Sequence, residues 1–118
     1  MILQSKNIKE GTKIEYSSKE LLFLASSGQP YRGSLYVKFT SQGETLDLVS
    51  FKKYITSLRD KTLNAEDIAY EIYESIKSVI KVDDLGIIVD LSARGGLQQR
   101  LCFGQEFTPV IKNNIFQI

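Results

Sequence analysis

Any nucleophilic or acid–base chemistry in this chain has to be built from the lone thiol of Cys102, from carboxylates such as Asp47 and Glu66, or from lysine and tyrosine, because the sequence contains no histidine. That absence removes Ser-His-Asp and Cys-His catalysis and every metal site that relies on imidazole. A single cysteine cannot close an intramolecular disulfide or supply a Cys cluster for zinc, and a free thiol more often packs as a small hydrophobe than reacts. Cys102 is therefore expected to be buried and inert. Glu66 and Asp67 follow Asn64 at the start of an apolar pattern with helical spacing, where the helix dipole favours carboxylates whether or not a ligand exists. Asp47 precedes a second such pattern as a candidate cap. Lys52 and Arg94, taken alone, read as solvated surface charges. Tyr31 can donate a hydrogen bond but is poorly suited to shuttling protons near neutral pH.

The elements that must position these residues follow from apolar periodicity. Leu22 and Leu24 begin one alternation, and Leu35, Val37 and Phe39 form a second with Tyr36, Lys38 and Thr40 on the opposite face. Ser26-Ser27-Gly28-Gln29-Pro30 separates the two strands as a hairpin turn. After Ser41-Gln42-Gly43-Glu44 the period changes: Leu48, Phe51, Ile55 and Leu58 recur at three and four residues, an amphipathic helix. A second helix starts after Asn64, buries Ile68, Ile72, Ile76, Val79 and Ile80, and ends near Lys81. A third strand runs from Leu85 to Leu91 with Leu85, Ile87, Val89 and Leu91 on one face. Arg94-Gly95-Gly96 turns it into a fourth, Leu97 to Phe103, whose shared face is Leu97, Gln99, Leu101 and Phe103. The order ββααββ predicts an α+β fold, a four-stranded antiparallel sheet with two helices on one face. Such an open sheet has two unpaired edges, which predicts self-assembly through them.

At 118 residues, 42% hydrophobic and 25% charged, the chain has the length and composition of one globular domain. The expected division is a single domain over 1–118, with a core from about 14 to 105 and a tail over 106–118 whose apolar residues (Val110, Ile111, Ile115, Phe116, Ile118) suit packing on its own sheet or on a neighbour. Fifteen basic and fourteen acidic residues leave a net charge of +1, too little for a general attraction to nucleic acid. No apolar run is long enough for a signal peptide or a membrane span, and cytoplasm is the expected compartment.

Ser27-Gly28-Gln29-Pro30, Ser50-Phe51-Lys52-Lys53-Tyr54, Glu66-Asp67 and Arg94-Gly95-Gly96 occur in an order, and among elements, that resembles the 7-cyano-7-deazaguanine nitrile reductases of queuosine synthesis, QueF-like proteins of the tunnelling fold. The similarity runs from about Leu21 to Gly104. It implies a tunnelling-fold subunit that joins others side by side into a ring and binds a heterocycle between neighbours. In that family a cysteine before the Gly-Gln-Pro turn attacks the nitrile carbon, and NADPH reduces the resulting thioimide. The matching position is Leu24, which has no lone pair to donate. The family's proton-transferring aspartate corresponds to Tyr31, and the histidine beside its substrate glutamate to Ala65.

What the resemblance leaves intact is Glu66, matching the glutamate that holds the N–H edge of a purine-like or pterin-like ring, whose two oxygens accept paired donors. Asp47 corresponds to a second substrate carboxylate given by the adjacent subunit, with Leu48 in place of a neighbouring serine. Lys52 and Arg94 match cationic positions near the NADPH phosphates, while Val49 replaces a third, so NADPH is implied by the resemblance only and no cofactor is expected. No catalytic residue and no metal ligand is assigned; Leu24, Tyr31, Asp47 and Glu66 are the expected ring-binding positions. Three functions follow: a domain without nitrile reductase activity that still binds a purine-, 7-deazaguanine- or pterin-like ring, an enzyme of 7-deazaguanine metabolism with altered chemistry, or a purely structural oligomer or partner of an active paralogue. Zinc-dependent relatives of the fold, such as GTP cyclohydrolases, are excluded by the missing histidines.

Overall fold

Gly28 adopts φ +87°, a backbone conformation that side chains disfavour, and this lets the chain reverse between two long strands. Ala25 N–H donates to the Gln29 carbonyl at 2.8 Å, and Gly28 N–H to that of Ala25 at 2.8 Å, closing the loop. The flanking strands are Lys13–Leu24 and Pro30–Thr40. The computed structural model describes residues 2–110, with the Arg94 side chain left aside.

In chain order the elements are β1 (Ser5–Asn7), β2 (Lys13–Leu24), β3 (Pro30–Thr40), β4 (Glu44–Leu46), α1 (Leu48–Ser57), α2 (Ile68–Lys77), β5 (Gly86–Arg94) and β6 (Leu97–Gly104). Single 3-10 turns, Leu58–Asp60 and Ala65–Asp67, follow α1 and precede α2. The main sheet has the order β2-β3-β5-β6, antiparallel throughout, with both helices against one face. This is the α+β arrangement that the periodicity predicts. The short antiparallel pair β1–β4 carries no sequence signal strong enough to predict it. It matters because Gln4, beside it, ties the start of α1: Gln4 N–H donates to Ser50 Oγ at 3.0 Å.

The core lies between sheet and helices. Leu35, Val37 and Phe39 of β3 and Ile87, Val89 and Leu91 of β5 are buried against Ile68, Ile72 and Ile76 of α2 and Phe51 and Ile55 of α1. Each such side chain contributes about 1.5–3 kcal/mol through removal from water. Gly33 draws β3 and β5 together, since a β-carbon there would lie 2.1 Å from the Asp90 carbonyl oxygen.

Four sequence expectations are corrected. In β2 the buried face is Leu21 and Phe23, 1% and 0% exposed, not Leu22 and Leu24. Ile14, Tyr16 and Ser18 pair with Phe39, Val37 and Leu35 on the core side, but a bulge between Ser18 and Leu21 then shifts the register and inverts the alternation. Leu48, assigned to the buried stripe of α1, is 52% exposed at the first helical position, and Tyr54 takes a core position. α2 ends at Lys77, although Ile80 N–H still donates to the Ile76 carbonyl at 3.1 Å and keeps Ile80 buried. Cys102 is exposed, because β6 is an edge strand and its helix-free face is uncovered there.

β6 leaves Leu97 73% exposed, while Phe103 packs edge-on against Tyr70 and Tyr73 of α2 with ring centroids 5.0 and 4.8 Å apart. The chain then crosses the helix-free face. Gln105 N–H donates to the Leu85 carbonyl at 2.9 Å, Phe107 lies against Gly86, and Val110 N–H donates to Glu15 Oε2 at 2.9 Å. The remainder of the expected tail, 111–118, lies outside the described residues.

Candidate functional site

The hairpin end of β2 is stitched to the segment that leads into α2. Leu24 N–H donates to the Lys61 carbonyl at 3.0 Å, and Leu63 N–H returns a bond to the Leu24 carbonyl at 2.8 Å. Residues 61–63 thus run beside the strand end, with a parallel bridge between Leu24 and Thr62. Three residues past Leu63, Glu66 sits in the 3-10 turn that opens the second helix. Ala65 beside it is buried and anchors the turn, which leaves the Glu66 side chain exposed. Among the described residues Glu66 has no hydrogen-bonding or ion-pairing partner, so both of its oxygens are available as acceptors. Asn64, expected as the cap, makes no side-chain bond to the helix backbone; its amide instead reaches Asp67 Oδ2 at 3.5 Å.

Tyr31 pairs with Phe23 across the hairpin, and its ring stacks on the Phe23 ring at 5.2 Å and 25°. Phe23 is a core residue, so Tyr31 extends the core to the end of the sheet while remaining half-buried itself. Leu24, Tyr31 and Glu66 therefore belong to one end of the molecule, gathered by the hairpin and the 61–63 segment.

Asp47 is elsewhere. It caps α1: its Oδ2 accepts the Ser50 N–H at 3.0 Å, and its carbonyl accepts Ser50 Oγ–H at 2.8 Å and Phe51 N–H at 2.9 Å. Ten residues of helix, about 15 Å, and then the 3-10 turn and the 61–63 segment separate it from Glu66. Within one chain the two carboxylates do not converge.

Lys52 lines a cleft of about 350 Å³ between β2 and α1, with Tyr16, Leu48, Phe51 and Ile55. Val49, at the third position that would meet a phosphate, is a hydrocarbon 60% exposed. Arg94 ends β5, opposite Leu97. Val49 and Leu24 are hydrocarbons, offering neither a charge for a phosphate nor a lone pair for a nitrile carbon. Among the described residues, no three His, Cys, Asp or Glu side chains come together to hold a metal ion, and no helix is long and apolar enough to cross a membrane.

Neither this cleft nor a larger hollow on the helix-free face, which includes Arg32, Ser92 and Gln98, is anticipated by the sequence. Both depend on cross-strand register, which the unrecognised bulge in β2 conceals.

Comparison with known proteins agrees with the fold. A family model described as "QueF-like protein" matches residues 30–107. The chain is similar to the NADPH-dependent 7-cyano-7-deazaguanine reductase of Sulfurimonas denitrificans, 31% identical over 71 residues covering 60% of this chain and 57% of that protein. Its counterpart from Rickettsia akari is 38% identical over 71 residues, 60% of this chain and 25% of that protein. The Thermotoga petrophila reductase is 30% identical over 73 residues, 61% of this chain and 53% of that protein. The matched segment thus spans between a quarter and somewhat over half of these relatives. A crystal structure of the archaeosine synthase QueF-Like in the apo form superposes with a TM-score of 0.70 and 16% identity over 86% of this chain and 99% of that one, which establishes the shared fold. Leu24 precedes the residues matched by the family model.

Proposed function

Because this chain belongs to the QueF-like protein family, we propose that it is a ring-binding tunnelling-fold subunit that holds a purine-, 7-deazaguanine- or pterin-like heterocycle through Glu66 and does not reduce a nitrile. The observation that carries the reading is the Glu66 carboxylate itself: exposed, without a partner among the described residues, and set beside the strand end that bears Leu24. A carboxylate fixed on a short turn presents two acceptors at a constant spacing, the complement of adjacent ring and amino N–H groups. The half-buried Tyr31 ring, on the core side of the hairpin, supplies an apolar wall against which a flat ring packs.

The bound site includes a neighbouring subunit. Asp47 lies a helix-length away from Glu66 within one chain, so its carboxylate reaches the ring only from a second copy, and the sheet edges β2 and β6 are the surfaces through which copies would join. Leu24 cannot form a covalent adduct with the nitrile carbon that the relatives' names imply as substrate. Lys52 and Arg94 are the two cationic positions for any phosphate-bearing cofactor, and no hydride step is assigned to them.

Calorimetric titration of 7-cyano-7-deazaguanine, guanine and a pterin into the protein and into Glu66→Ala tests this. One of the three binds the unaltered protein, and the substitution weakens it by about 2 kcal/mol, the loss typical of a charged hydrogen-bond partner. The same protein mixed with 7-cyano-7-deazaguanine and NADPH shows no fall in NADPH absorbance. Equal binding to both proteins, no binding by any of the three, or steady NADPH consumption overturns the proposal.

A further inference from the structure

On the face of the main sheet turned away from the helices, β3 presents Arg32 and Ser34, which alternate with the core-side residues Tyr31 and Leu35. Arg32 stands opposite Leu22 of β2, and Ser34 opposite Asp90 of β5, itself opposite Arg100 of β6. Together with Lys19 from the bulged stretch of β2, Ser92 and Gln98, these strands line a hollow of about 620 Å³, within the range of small-molecule sites.

The charge arrangement in this hollow is unbalanced. Its two carboxylates are engaged: Glu20 accepts from Arg59 Nη2 at 3.4 Å, and Asp90 from Arg100 through Nε and Nη2 at 2.5 and 2.8 Å. A bidentate pair of that kind neutralises Asp90 and holds its oxygens away from other cations. Arg32 and Lys19 have no ion-pair partner among the described residues. Two uncompensated cations thus face a hollow that also offers hydroxyl and amide donors from Ser92 and Gln98.

We propose that this hollow is a second binding site, for the phosphate or diphosphate group of a small molecule. A guanidinium pairs bidentately with phosphoryl oxygens, a lysine ammonium supplies a point charge to the same group, and neutral donors complete the oxygens left over. The site lies on the helix-free face, and Glu66 is not among the residues that line it, so it stands independently of the ring-binding reading.

Inorganic pyrophosphate titrated calorimetrically into the full chain at low ionic strength tests the proposal. Saturable binding is expected, weakened about tenfold or more in Arg32→Gln and less in Lys19→Gln, and unchanged in Lys38→Gln, which removes a cation from the same face farther along β3. A nucleoside diphosphate run in parallel separates the sources: tighter binding than pyrophosphate identifies a nucleotide, and equal binding a free oligophosphate. Absence of saturation at millimolar pyrophosphate, undiminished binding in Arg32→Gln, or equal displacement by sulfate at matched ionic strength overturns it.

Discussion

Tyr54 shows how one side chain links two elements and reports on both. Its ring is buried in the core from α1, and its hydroxyl donates to Ser75 Oγ on α2 at 3.0 Å. Burial pushes its pKa up to about 12, opposed by the Ser75 hydrogen bond and assisted by the negative charge of Glu71. A tyrosine is neutral below its pKa, so this contribution is intact below pH 10, where the unfolded chain begins to release the proton. It is lost progressively as pH rises from about 10 towards 12, because the unfolded state then binds fewer protons than the folded one. Tyr54→Phe is expected to cost about 1 kcal/mol at neutral pH through the lost hydrogen bond and to flatten the stability decline above pH 10. Urea denaturation at pH 7, 9.5 and 11 checks both effects. Leu24 and Glu66 belong to the same scale: the residue types alone say that one cannot attack carbon and that the other can accept paired donors.

Among the elements, α1 combines a structural and a proposed functional residue at its first turn. Asp47 satisfies the Ser50 N–H, one of the donors that helix geometry leaves unpaired. Asp47→Ala should lower stability by about 1 kcal/mol, whereas Asp47→Asn, also a good cap, should leave it nearly unchanged. Thermal denaturation distinguishes them, and a loss of ring affinity in Asp47→Asn at unchanged stability would reveal a ligand role beyond the cap. The cap was legible because Asp before an apolar helical period has one common use. The phase of β2 was not, since the bulge between Ser18 and Leu21 places Ile14 and Tyr16 on the same face as Leu21 and Phe23, a pattern that simple alternation cannot express. The two faces of β6 were equally obscure: Leu97, Leu101 and Phe103 alternate properly, yet the strand lies at the sheet edge, and only Phe103 finds a ring-lined seat on α2.

In the whole molecule, the two faces of the sheet have different fates. The helices cover one; the other is crossed at one end by the chain after β6 and left polar at the end where Arg32 and Asp90 lie. Phe107 is half-buried where it crosses, over Gly86, whose missing side chain makes the room: a β-carbon there would meet the Phe107 ring at 2.8 Å. Phe107→Ala should therefore destabilise the fold by about 1–2 kcal/mol, in keeping with partial burial of an aromatic ring. A shift of the urea midpoint at constant slope would confirm it. A substitution without effect would mean that the crossing segment contributes nothing to stability.

Residue types and their spacing by themselves determined that histidine chemistry is unavailable, that a hydrocarbon stands at the hairpin position, and that two strands, two helices and two strands build an α+β sheet, because these depend only on local side-chain chemistry and on periods of two and about 3.6 residues. The tertiary structure alone decided which side of β2 faces the core, that Cys102 is exposed, and that Asp47 and Glu66 stand apart while Arg32 and Lys19 share a hollow. Those facts depend on where a bulge falls and on which strand lies at an edge, and both are settled by contacts between residues distant in the chain.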